Sequence, residues 1–194
     1  MKQETIKLLT SVTDKARTMD ITKESNFLEI VYLLNEVAGS GETDLRTIVA
    51  AHNMLVALNI MRTGELVFSE KFATRTLAVK TNLINFMHQS IDSVTATSTH
   101  EKILACKAAK SSLEIVAYQL AILQQKSDVR YIPGEIIPAY IGLNAEMKYL
   151  QDQVDSSFES LEALFIEECL ADNLPDEIGD TKDEVDDLPD ELTY

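Results

Sequence analysis

The sequence has no tryptophan, two cysteines, three histidines, four prolines and six glycines, and it has no long uninterrupted apolar run. Each scarcity removes a class of protein. With aromatics at 6% of 194 residues, the interior has to be built from Leu, Ile, Val, Ala and Met, a palette that suits packed helices better than sheets. The length fits one domain that folds without staples. Cys106 and Cys169 each stand inside a helical pattern with no second Cys or His at ligand spacing, so a disulfide framework and a zinc site are not expected and both read as reduced packing residues. No stretch approaches the ~18 apolar residues of a membrane span. The opening MKQETIKLLTSVTDK mixes charge with apolar groups instead of forming a secretory leader, so cytoplasmic residence without a membrane partner is expected.

Positive charge is scarce in one part of the chain only. Residues 1–130 carry 15 Lys/Arg against 14 Asp/Glu, whereas residues 131–171 carry Lys148 against eight acids and residues 172–194 carry Lys182 against ten, for a total of −15. Gripping a phosphate backbone takes clustered Lys and Arg, so direct binding of nucleic acid is not expected. A partner protein with a basic surface is the natural complement of the acidic end.

The apolar spacing is helical throughout. Ile6, Leu9, Val12, Ala16 and Met19 line one face, Asp20 and Thr22 cap a second helix, and Gly39-Ser40-Gly41 ends it. Thr43 and Asp44 open a third helix with Leu45, Ile48, Val49, His52, Leu55 and Val56 on one side, which Gly64 is expected to stop; a fourth is expected from Ser69, with Phe68 packed before its cap. Ser98 and Glu101 form a capping box for a fifth, which carries a stripe of Ile103, Cys106, Leu113, Ala117 and Leu120 and runs to about Lys126. An extended link through Pro133-Gly134 follows, and two β-prone pieces, Leu66–Phe68 and Val129–Ile132, have the composition to pair as a small ribbon.

Pro138 opens the sixth and longest helix, whose Tyr140, Leu143, Met147, Leu150, Val154, Phe158, Leu161 and Phe165 recur at a mean of about 3.6 residues. That stripe packs either within the chain or along a helix of another molecule. The expected fold is therefore all-α: a bundle of about six helices over residues 1–171 with one long C-terminal helix. Beyond it, residues 172–194 are expected to form an acidic disordered tail, too poor in large apolar groups to offset the entropy of ordering. The tail repeats a pentapeptide, LPDEI at 174–178 and LPDEL at 188–192. One reading is a pair of helix starts in a solvated arm; the other is a duplicated docking motif with Leu174, Ile178, Leu188 and Leu192 as i, i+4 anchors.

Chemistry finds little to stand on. His52 reads as a core histidine, His88 as a ring near a helix C-terminus and His100 as an exposed first-turn residue. Neither a phosphate loop nor a nucleophile elbow occurs, and no Glu-x-x-His or zinc-protease pair is present. Glu159-x-x-Glu162 followed by Glu177-x-x-Asp180 resembles, over four residues, the magnesium-binding acidic pairs of all-helical nucleotide pyrophosphatases. That resemblance implies a magnesium-dependent enzyme, although the second pair straddles Gly179 instead of lying inside a helix.

Three functions follow from this reading. The first is a non-enzymatic interaction or assembly protein, forming homo-oligomers or holding another protein, with the acidic C-terminal segment as a docking or regulatory arm and no cofactor. The second is an acidic decoy for a basic nucleic-acid-binding protein, with Asp152, Asp155, Glu159 and Glu162 standing in for phosphates on successive turns. The magnesium enzyme is the third. A small acidic helical chain of this kind is also compatible with a viral or phage origin.

Overall fold

The computed structural model describes residues 3–39 and 44–172. They form five α-helices and one 3-10 turn, with no strand among them: α1 (Gln3–Thr18), α2 (Glu24–Gly39), α3 (Leu45–Thr95), α4 (Thr99–Lys126), the turn Val129–Tyr131 and α5 (Ile137–Asp172). The class is all-α, as the spacing predicts. The arm beyond Asp172, with Leu174, Ile178, Leu188 and Leu192, lies outside the described residues.

The expected third and fourth helices are one element of 51 residues, and its break is at Phe72 (φ −134°, ψ 40°) instead of Gly64 or Ser69. Residues fifteen apart on an unbroken helix stand about 22 Å apart, yet Lys80 Nζ lies 2.8 Å from a Glu65 carboxylate oxygen. A Cβ placed on Gly64 would sit 4.0 Å from Cγ1 of Val79. The chain therefore doubles back at Phe72, and the two arms of α3 run against each other. Gly64 is buried in the first arm and is a point of close approach, not a terminator. Phe68, expected ahead of a cap, is buried inside the same arm, edge-on to the Tyr140 ring at 6.1 Å.

Paired contacts fix the remaining topology. The second arm of α3 runs antiparallel to α4, through Ser112 Oγ donating to Gln89 Oε1 (2.9 Å) at one level and Arg75 donating to Gln119 (2.9 Å) at another. Helix α5 runs antiparallel to α4, through Thr99–Glu168 (2.8 Å), Lys110–Asp155 (2.7 Å) and Ser127–Tyr140 (3.2 Å). It also meets the first arm of α3 at Tyr149–His52 (3.1 Å). Four rods thus close into an up-and-down bundle. The α1–α2 hairpin, tied by Lys15–Glu29 (2.6 Å), lies against it, with Arg17 on His88 (2.7 Å) and Arg62 over the Phe27 ring (4.4 Å).

The long stripe of α5 is used inside the chain. Leu143, Met147, Leu150, Val154 and Leu161 are buried, and Tyr140, Phe158 and Phe165 are half-buried. The capping box of α4 forms as expected, Ser98 Oγ accepting from Glu101 N–H at 3.2 Å while the Glu101 carboxylate accepts from Ser98 N–H at 3.3 Å. The suggested ribbon does not form: Leu66–Phe68 are helical, and Val129–Tyr131 are a 3-10 turn capped by Asp128.

Candidate interaction surface

A bundle of antiparallel rods presents each helix's outward stripe to solvent, and the sign and size of the side chains there decide what the protein can touch. On α5 the outward acids are Asp152, Asp155, Glu159 and Glu162, four positions on successive turns, as the sequence places them. They do not form an unbroken anionic edge. Lys110 of α4 reaches Asp155, and that bond, helped by the fields of Glu114 and Glu159, raises the lysine above its ordinary range. Lys107 lies over the Phe158 ring at 5.4 Å, and Lys148 borders the same groove as Asp152 and Asp155. A duplex presents phosphates of one sign only, so the alternation of Lys and acid here is a poor imitation of it.

The histidines disperse. His52 is exposed, contrary to its expected core position, and its Nδ1 meets the Tyr149 hydroxyl. The packed side of this arm is instead Ala50, Met54, Ala57, Leu58 and Met61, because the arm is covered by several helices and a single apolar stripe does not describe it. His88 Nε2 lies 2.7 Å from the Arg17 guanidinium, which can only donate. His100 leans on Phe165 at 6.0 Å. Among the described residues no three His, Cys, Asp or Glu side chains gather to hold a metal ion. Glu159 and Glu162 are exposed on α5, while Glu177 and Asp180 lie outside the described residues.

The cysteines part company. Cys106 is buried and burial pushes its thiol upward, which keeps it an inert packing residue; Cys169 is exposed, so its expected packing role does not hold.

At the end of the bundle where α3 and α4 begin, a cleft of about 430 Å³ opens among all four rods. It exists because Ala50, Ser90, Ala109 and Ser157 are too small to fill that level, and it separates the main core from a small cluster of Ile103, Cys106 and Leu161. Its charged lining is Arg46 and Lys102, with no carboxylate or imidazole to move a proton. General acid–base work needs such a group within hydrogen-bond reach.

The most distinctive surface is on α4. Leu104, Ile115 and Tyr118 are 52%, 45% and 64% exposed, and they belong to the series Leu104, Ala108, Ser111, Ile115, Tyr118, Ile122. The steps are 4, 3, 4, 3, 4, so all six share one face. None of these six positions is charged, in a protein whose net charge is −15, while Lys107 and Glu114 stand along one flank. The stripe from Ile103 to Leu120, interrupted by Lys110 and Gln124, implies a partly exposed helix but does not single out this second row. The heptad signal of the second stripe was present in the letters, but Ala108 and Ser111 at its centre weaken it.

No family model, curated protein or solved structure matches this chain. Among the described residues no helix is long and apolar enough to cross a membrane.

Proposed function

We propose that this protein works by contact and not by turnover: a helical interaction or assembly protein with an acidic C-terminal docking or regulatory arm. The single observation that carries the reading is the uncharged, heptad-spaced face of α4. Isolated apolar residues on a surface need no explanation, but a continuous row flanked by charge marks a place where another protein sits. Two further features agree with it: the described acids, the half-buried Glu146 among them, do not converge, and the charged lining of the cleft at the bundle end is Arg46 and Lys102. The acidic segment 172–194 gives the molecule a second, electrostatic means of contact, with Leu174, Ile178, Leu188 and Leu192 as its apolar anchors.

Size-exclusion chromatography with light scattering, on the full chain and on a chain ending at Ala171, tests this together with capture from a lysate. The expected result is self-association or a retained protein partner, altered by loss of the arm. A strictly monomeric protein that retains nothing with or without the arm would contradict it.

A further inference from the structure

We infer that the exposed face of α4 is a self-pairing surface, on which a second copy of this chain lays its own α4 antiparallel. The inference rests on the contact reading above and goes further by naming the occupant and the register. When two such faces meet antiparallel, residues on the same flank of each helix come together. Lys107 and Glu114 are seven apart and therefore occupy the same flank of α4. One register sets Leu104 opposite Ile115 of the second copy and Ala108 opposite Ser111 of the second copy. It brings Lys107 beside Glu114 of the second copy and, by symmetry, Glu114 beside Lys107 of the second copy.

Sliding the copies by one heptad leaves an apolar seam but sets Glu114 against Glu114, so charge selects the first register. A parallel pairing puts Lys107 and Glu114 opposite Ser112 and Gln119 and gains no charge pair. The small side chains at the centre, Ala108 and Ser111, let the backbones approach closely. At the rim the Tyr118 hydroxyl comes within reach of Glu101 of the second copy.

The apolar side chains need no rearrangement before pairing, since Leu104, Ile115 and Tyr118 already project outward, and only Lys107 swings, from the Phe158 ring of its own chain to Glu114 of the second copy. From Glu101 to Tyr118 it is about 26 Å long. One helix face of that length buries less than the roughly 800 Å² per partner of a standard interface. The dimer is therefore weak and reversible, with a dissociation constant on the order of micromolar or above.

Sedimentation equilibrium on the full chain over a wide concentration range, with three kinds of variant, tests the inference. Ile115→Asp is expected to leave a monomer with unchanged helical content. Lys107→Glu and Glu114→Lys are each expected to weaken pairing about tenfold, since each turns two attractions into two repulsions, and Lys107→Glu/Glu114→Lys is expected to restore it. A wild-type monomer at every concentration overturns the inference, as does a dimer indifferent to Ile115→Asp. Failure of the double exchange to restore what the single exchanges lose also overturns the register. Capture of a different protein by a monomeric wild type would overturn this inference and leave the contact reading standing, so the two fail separately.

Discussion

Replacement of Gly64 reads out the reversal at Phe72 directly. On a straight α3 this position would have no second arm beside it, and any good helix former would improve on glycine. In the folded chain Val79 Cγ1 lies 4.0 Å from the position of a new Cβ, which is ordinary van der Waals contact. Gly64→Ala therefore fits without displacement and should gain the helix-interior difference between the two residues, about 0.5–1 kcal/mol. For a domain of this size that raises Tm by about 1–4 °C. Gly64→Leu should lose the gain, because its further carbons have to enter the space held by Val79 on the opposing arm, with overpacking costing about 1–3 kcal/mol. Gly142 on α5 is the control: nothing lies within 4 Å of its would-be Cβ, so Ala and Leu should both stabilise there. Urea denaturation followed by circular dichroism at 222 nm measures all four. If Gly64→Leu proves as stable as Gly64→Ala, the arms are not packed at this level and the hairpin account is wrong.

Glu146 offers a test by pH: burial pushes its carboxyl upward, and its Oε2 has no hydrogen-bond partner. A raised carboxyl binds its proton more tightly when folded, so its contribution is most favourable below the ordinary value of 4.5 and is lost as pH rises through the folded value. Glu146→Gln should accordingly stabilise the protein at pH 7 by about 1 kcal/mol and by progressively less below pH 4.5, as denaturant midpoints across pH will show. Asp44 has the opposite sign: the Thr47 N–H holds its carboxyl below 3.8, so its contribution is present above that value and is lost as pH falls through the folded one. Asp44→Ala should cost about 1 kcal/mol at neutral pH, as should Ser98→Ala at the start of α4, each measured by denaturant midpoint. Asp155→Asn should cost less than about 1 kcal/mol and lose even that in 0.5 M salt, since the Asp155–Lys110 pair is half exposed on both sides. The self-pairing should respond to salt in the reverse sense, strengthening between 20 and 300 mM in sedimentation runs as repulsion between two chains of −15 is screened.

Much of the architecture could be read from spacing and caps. The Ser98–Glu101 box and the Leu143-to-Leu161 row identify their helices because each rests on local rules, one a reciprocal pair of hydrogen bonds and the other a 3.6-residue period. Gly64 misled because glycine serves two ends, stopping a helix or letting two helices touch, and only the position of Val79 distinguishes them. Phe72, where the chain turns, carries no turn chemistry: it is an aromatic residue between Lys71 and Ala73, held in its bend by the packing of both arms. His52 misled for a related reason, since its apolar neighbours Ile48, Val49 and Val56 are only half-buried on an arm with several covered sides.

The candidate site was legible in part. Asp152, Asp155, Glu159 and Glu162 do share the outward side of α5, and Lys148, four residues before Asp152, is a local neighbour, but Lys107 and Lys110 come from α4, 45 residues earlier in the case of Lys110 and Asp155, and no local pattern announces them. The α4 face was missed because that helix has two apolar rows. A hydrophobic period reports that rows exist and not which one the fold covers.

Hydrogen–deuterium exchange of the full-length protein, followed from dilute to concentrated solution and with any partner that is retained, tests contact through α4 most directly. The account predicts that backbone amides between residues 101 and 120 slow markedly as the protein associates while those of the acidic α5 turns at 152–162 change little. Protection that gathers on α5 and leaves α4 as fast as in dilute protein would contradict it.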